Sequence, residues 1–60
     1  MYYFKAHYIN MDDDSEIVKQ IQFDGQFFSN EKECYVYAMT RAYDMAGKNE
    51  MLTSVEFIAC

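Results

Sequence analysis

NEKECYVYAMTRAYDMAG, residues 30–47, carries the one sustained helical pattern in the chain; the rest alternates as strands do or breaks as turns do. At about 100° per residue, Tyr35, Ala38, Met39, Ala42 and Ala46 share one arc, with Cys34 and Met45 on one shoulder and Val36 and Tyr43 on the other. Glu33, Tyr37, Thr40, Arg41 and Asp44 occupy the opposite side. Because Ala38, Ala42 and Ala46 recur every four residues, the helix backbone can lie close to a sheet. Two start signals compete: Ser29 as N-cap, or Asn30 as N-cap with Glu33 reaching back as in a capping box. Glu31 and Glu33 then sit in the first turn, where the positive end of the helix dipole favours them. At the far end, Gly47 in a left-handed conformation is the natural stop, with Lys48 beside the last carbonyls. The pattern predicts one helix over about residues 30–46.

Working outward, Tyr2 to Met11 alternates, with Tyr2, Phe4, Ala6 and Tyr8 on the side that meets the helix and Tyr3, Lys5, His7 and Ile9 on the other. Asp12-Asp13-Asp14-Ser15 has turn chemistry and implies a hairpin. Glu16 to Asp24 is a second strand. Ile17, Ile21 and Phe23 lie on one face, interrupted by Lys19, which belongs near an edge or covers apolar surface with its stem while its ammonium reaches water. Asp24-Gly25 is a turn dipeptide. Gln26-Phe27-Phe28 is either a short extra strand or a lead into the helix. Beyond the connector Lys48-Asn49-Glu50, Met51 to Cys60 alternates again, with Met51, Val55, Phe57 and Ala59 opposed to Leu52, Ser54, Glu56 and Ile58.

The whole is a single α+β domain, 1–60, of order β-β-(β)-α-β: a small, mainly antiparallel sheet of three to four strands with the helix packed on one face. A right-handed crossover from the second strand to the last makes those two parallel and places the first strand between them. One helix covers one face. Tyr3, Ile9, Val18, Leu52 and Ile58 are left on the other, mixed with Lys5, His7, Gln20, Gln22 and Glu56. A domain of this size buries only about 60% of the surface its unfolded chain exposes, and association of two copies through the open face or an edge strand supplies the missing area. The expectation is a homodimer.

Ten acidic against five basic residues give a net charge of −5, which argues against direct nucleic-acid binding, since that needs Lys and Arg to displace counterions from phosphates. The same balance suits a basic protein partner. MYYFKAHYIN lacks the charged lead and continuous apolar core of a signal peptide, and no window approaches a membrane span, so the expected compartment is the cytoplasm. The two cysteines, Cys34 and Cys60, form no staple framework.

Candidate chemistry is sparse. Asp12, Asp14 and Glu16 alternate like the opening of a calcium-binding loop, but Ile17 stands where that loop needs glycine and Phe23 where it needs a bidentate Glu. His7 has no second metal ligand, nucleophile or orienting acid nearby in sequence. At Cys34 a helix N-terminus favours the thiolate, whereas Glu31 and Glu33 oppose it. No catalytic, metal or cofactor-binding residue is assigned. The helix side bearing Tyr37, Arg41, Glu33 and Asp44 is the candidate partner-binding surface, because Tyr beside Arg is the composition that dominates protein interfaces.

YYFKAHYINMDDDSE, followed by strand, turn and the helical KECYVYAMTRAYDMA, resembles the N-terminal module of HicB-type antitoxins. That resemblance implies β-β-β-α-β order and binding to a small toxin. The family's aromatic-Pro-Asp segment has no counterpart, as the chain contains no proline. In general character a short, acidic, tyrosine-rich chain is also similar to phage inhibitors of host nucleic-acid-binding proteins, anti-CRISPR proteins among them. The first functional expectation is therefore a non-enzymatic module binding a basic protein, the second an antitoxin module, and the third a small metal-binding domain or enzyme.

Overall fold

In the computed structural model, which describes residues 1–59, the alternation of Tyr2 to Asn10 becomes the central strand β1 (Tyr2–Asn10). It pairs antiparallel with β2 (Glu16–Phe23) on one side and β3 (Glu50–Ala59) on the other, in the sheet order β2-β1-β3. The two outer strands therefore run parallel, joined by the crossover through α1 (Glu31–Asp44), as the sequence led us to expect. Cys60 lies outside the described residues. No helix among them is long and apolar enough to cross a membrane.

The optional strand at residues 26–28 does not form. Gly25–Phe27 makes a 3-10 turn instead, held by the Asp24 carboxylate accepting from the Gln26 N–H at 3.0 Å and by the Phe28 N–H donating to the Gly25 carbonyl at 3.1 Å. An Asp side chain that bonds its neighbouring backbone competes with a sheet ladder, and here it wins. Gly25 lets the Tyr2 ring lie against the turn: a Cβ there would fall 1.8 Å from a carbon of that ring, so one of the two would have to move.

The core lies between helix and sheet, where Phe4, Ala6 and Tyr8 of β1 meet Ile21, Val55, Ala38 and Ala42, with Tyr2, Ile17, Phe23, Met39, Met45 and Leu52 packed around them. The alanine stripe is as read from the sequence, but its centre is turned. Cys34, Ala38 and Ala42 are buried, while Tyr35 is 43% exposed and Tyr37, expected on the outer side, is half-buried. The cause is aromatic. Tyr37 meets Phe23 edge-on at 4.7 Å between centroids and Phe28 at 5.2 Å, contacts that add to ordinary apolar burial. Tyr35 leans the other way and donates its hydroxyl to the Val55 carbonyl at 2.9 Å. The two tyrosines thus straddle the sheet, one toward each edge strand.

β3 departs most from its expected alternation. Tyr8 pairs with Leu52 but His7 with Ser54, so Thr53 is an inserted residue whose hydroxyl donates to the His7 carbonyl at 3.0 Å. An insertion reverses every side chain beyond it. Leu52, expected on the open face, consequently packs against the core, and Met51, expected inside, is 50% exposed. A second shift inserts Ile58 between Phe57, opposite Phe4, and Ala59, opposite Tyr3.

The helix ends follow different rules. Asn30 is the N-cap, its side-chain oxygen accepting from the Glu33 N–H at 2.9 Å. Glu33 reaches back, but to the Ser29 N–H at 2.9 Å rather than to the cap's own N–H. At the C-terminus the glycine stop is absent: the helix closes at Asp44, Met45 stays right-handed, and neither glycine has a positive φ. The terminal carbonyls are shared out: Arg41 and Tyr43 accept from the N–H groups of Met45 and Ala46, and Ala42 and Met45 accept from the sheet. Tyr8 donates its hydroxyl to Ala42 at 2.6 Å, and Lys19 donates its ammonium to Met45 at 2.7 Å and to the Glu50 carboxylate at 2.6 Å. Glu50 also accepts the Gly47 N–H at 2.7 Å. Lys19 is thus on an edge strand, as expected, yet its ammonium ends in an ion pair over the Tyr8 ring rather than in water.

Candidate interaction surfaces

The odd-numbered residues of β1 organise the open face of the sheet. Register sets Tyr3 between Gln22 and Ala59, Lys5 between Gln20 and Glu56, His7 between Val18 and Ser54, and Ile9 between Glu16 and Met51. Of the five residues expected to carry self-association, Tyr3, Ile9, Val18 and Ile58 are half-buried or exposed and Leu52 belongs to the core side. Met51 takes the place that Leu52 leaves. Val18, Met51 and Ile58 are 47%, 50% and 44% exposed; Met51 and Ile58 lie toward opposite ends of the face, and Val18 flanks His7 on the edge strand. The centre is otherwise polar.

At that centre His7 lies between two carboxylates, its Nδ1 3.6 Å from Glu16 and its Nε2 3.1 Å from Glu56. The sequence reading found no acid for His7 because both come from neighbouring strands, 9 and 49 positions away in the chain. Only the strand register brings them together. Among the described residues no group of three His, Cys, Asp or Glu is arranged to hold a metal ion.

The hairpin carboxylates are engaged separately. Asp12 accepts from the Asn49 side chain at 2.9 Å, tying the hairpin to the α1–β3 connector. Asp13 accepts from both the hydroxyl and the N–H of Ser15, which hold its carboxyl below the usual range. Asp14 adopts a left-handed φ of 59°, a conformation Asp tolerates better than most residues.

Of the four helix candidates, Glu33 and Tyr37 line one hollow beside the helix N-terminus. Arg41 and Asp44 are exposed, Glu33 holds Ser29, and Tyr37 is drawn into the aromatic contacts with Phe23 and Phe28. Cys34 is 2% exposed, which removes its thiol from reagents in solution. The Lys19 ammonium and the Gly47 N–H lower the pKa of Glu50. Burial raises the pKa of Tyr8, with the nearby Lys19 charge opposing the effect.

No family model matches the chain, and no curated protein or solved structure is significantly similar to it.

Proposed function

We propose that this chain is a non-enzymatic, acidic protein-interaction module that acts in the cytoplasm as a homodimer and binds a basic nucleic-acid-binding protein, in the manner of phage or mobile-element inhibitors. One observation supports this reading above the others. With ten acids against five bases, Lys19–Glu50 is the one ion pair between a Lys or Arg and a carboxylate among the described residues. The acid excess is therefore left to act on solvent and on partners, steering a basic protein toward the surface. Capture from lysate at low and at raised salt tests it: a basic partner retained at low salt and released as charges are screened is the expected result. A neutral or acidic partner held equally at both would overturn it.

The dimer uses the open face, where Val18, Met51, Ile58, Tyr3 and Ile9 supply apolar contact around the His7–glutamate centre. A twofold pairing buries like surfaces against one another. The antitoxin reading comes second. The two-stranded hairpin followed by helix and strand supports it, while the 3-10 turn at Gly25–Phe27 stands where the family order needs a third strand. A small basic toxin encoded in an adjacent reading frame, forming a stable complex with this chain, would favour it over the first.

A further inference from the structure

Near the N-terminal end of the helix, α1 and β3 part to leave a cleft of about 220 Å³ lined by Phe4, Tyr35, Phe57 and Glu31. We infer that this cleft receives an arginine side chain of the basic protein partner, its guanidinium against the aromatic walls and paired with the Glu31 carboxylate. This rests on the reading of the chain as a binder of basic protein and assigns the contact. Phe4 is almost wholly buried, whereas Tyr35 and Phe57 are 43% and 49% exposed.

The walls are set before any ligand arrives. Phe4 meets Tyr35 at 6.0 Å and 72° and Phe57 at 5.4 Å and 69°, and the Tyr35 hydroxyl is fixed on the Val55 carbonyl. Aromatic side chains attract a cation, Arg more often than Lys. Glu31 makes no ion pair or hydrogen bond among the described residues. Its two oxygens match the planar fork of a guanidinium, which an ammonium lacks.

Two neighbouring features sharpen the assignment. A helix N-terminus disfavours a cation, but the Glu31 and Glu33 carboxylates of the first turn oppose that field and the Asn30 side chain takes up the Glu33 N–H. The wider hollow alongside, lined by Phe28, Asn30, Glu33, Val36 and Tyr37, also contains Lys32, and its acid is already bonded to Ser29. Aromatic rings and an uncommitted carboxylate coincide in the smaller cleft.

The test is an amide and aromatic NMR titration of the full chain with an end-blocked Gly-Arg-Gly peptide, and with its lysine and citrulline counterparts. Arginine is expected to shift Glu31, Tyr35 and Phe57, lysine to do so more weakly, and the neutral citrulline to leave them unmoved. Glu31→Gln should weaken arginine binding about tenfold, the scale of one charge-assisted hydrogen bond. Phe57→Leu, which keeps apolar volume but loses a ring, should narrow the gap between arginine and citrulline. Equal shifts from citrulline would overturn the cation assignment, and equal shifts from lysine its arginine selectivity. Arginine shifts confined to Asp12, Asp13 and Asp14 would overturn the cleft while leaving the module reading intact. Silence from all three peptides would also overturn the cleft, with the lysate capture still judging the module on its own.

Discussion

The two faces of β1 are made by alternate residues of one strand, yet they live in different solvents. Phe4, Ala6 and Tyr8 are 2%, 0% and 0% exposed beneath the helix, while Tyr3, Lys5, His7 and Ile9 look onto a face that nothing in the described chain covers. The first set holds the fold together. The second retains polar groups that a core would exclude, with His7 between Glu16 and Glu56. One strand can therefore carry the core on one side and leave its other side uncovered.

Substitutions that treat the faces as equivalent should break this comparison most visibly at Phe4. Phe4→Ala removes a buried ring in contact with Phe23, Tyr35 and Phe57, at a cost of about 3–5 kcal/mol. A domain of this length has a total stability on the order of 3–9 kcal/mol. Circular dichroism should accordingly find this variant largely unfolded at ambient temperature. Val18→Ala on the open face should instead move the monomer's stability by no more than about 0.5 kcal/mol.

Next in size is Ala42→Leu. Ala42 is wholly buried and its carbonyl receives the Tyr8 hydroxyl, so the added isopropyl group has no room short of lifting the helix. Overpacking should cost about 1–3 kcal/mol in chemical denaturation, and an unchanged midpoint would mean that the helix does not seat there. On the outer side of the same helix, Thr40→Ala should stay within about 0.5 kcal/mol, since its hydroxyl bonds only the Val36 carbonyl one turn back.

The clasp at the helix C-terminus gives a pH signature. Glu50 has its pKa lowered in the folded state by Lys19 and by Gly47, so the stability it contributes is present above the ordinary carboxylate pKa and is lost as pH falls through the depressed value. Thermal midpoints measured from neutral pH into that acid range should fall for the wild type. Glu50→Gln should start lower at neutral pH and fall less steeply, and an identical slope would remove Glu50 from the clasp. Asp13 is lowered as well, by Ser15, and accounts for part of the slope that remains.

What the sequence made legible was local, together with the sheet order that the crossover through the helix imposes. Helix start, alanine stripe, hairpin and the inward set of β1 all follow from periodicity and capping within a few residues. The misses share a cause: each depends on a partner distant in the chain. Gly47 looked like the helix stop until Lys19 and Tyr8 of the sheet supplied donors to the last carbonyls. Leu52 and Met51 exchanged sides because the insertion at Thr53 exists only relative to β1. Tyr37 was assigned to solvent by its helical angle and turned inward because Phe23 and Phe28 reach it from elements before the helix. The glutamates flanking His7 were invisible for the same reason, and so was the cleft that Phe4, Tyr35, Phe57 and Glu31 enclose.

The central claim is that the open face is a docking surface, occupied by a second copy, rather than surplus sheet. Sedimentation equilibrium over a wide concentration range tests it most directly. The expected result is a mass rising from that of the single chain to twice that value, and a loss of this rise in Val18→Asp, which would bring a charge into the contact from each copy. A wild-type chain that remains a single monomeric species into the high micromolar range would contradict it.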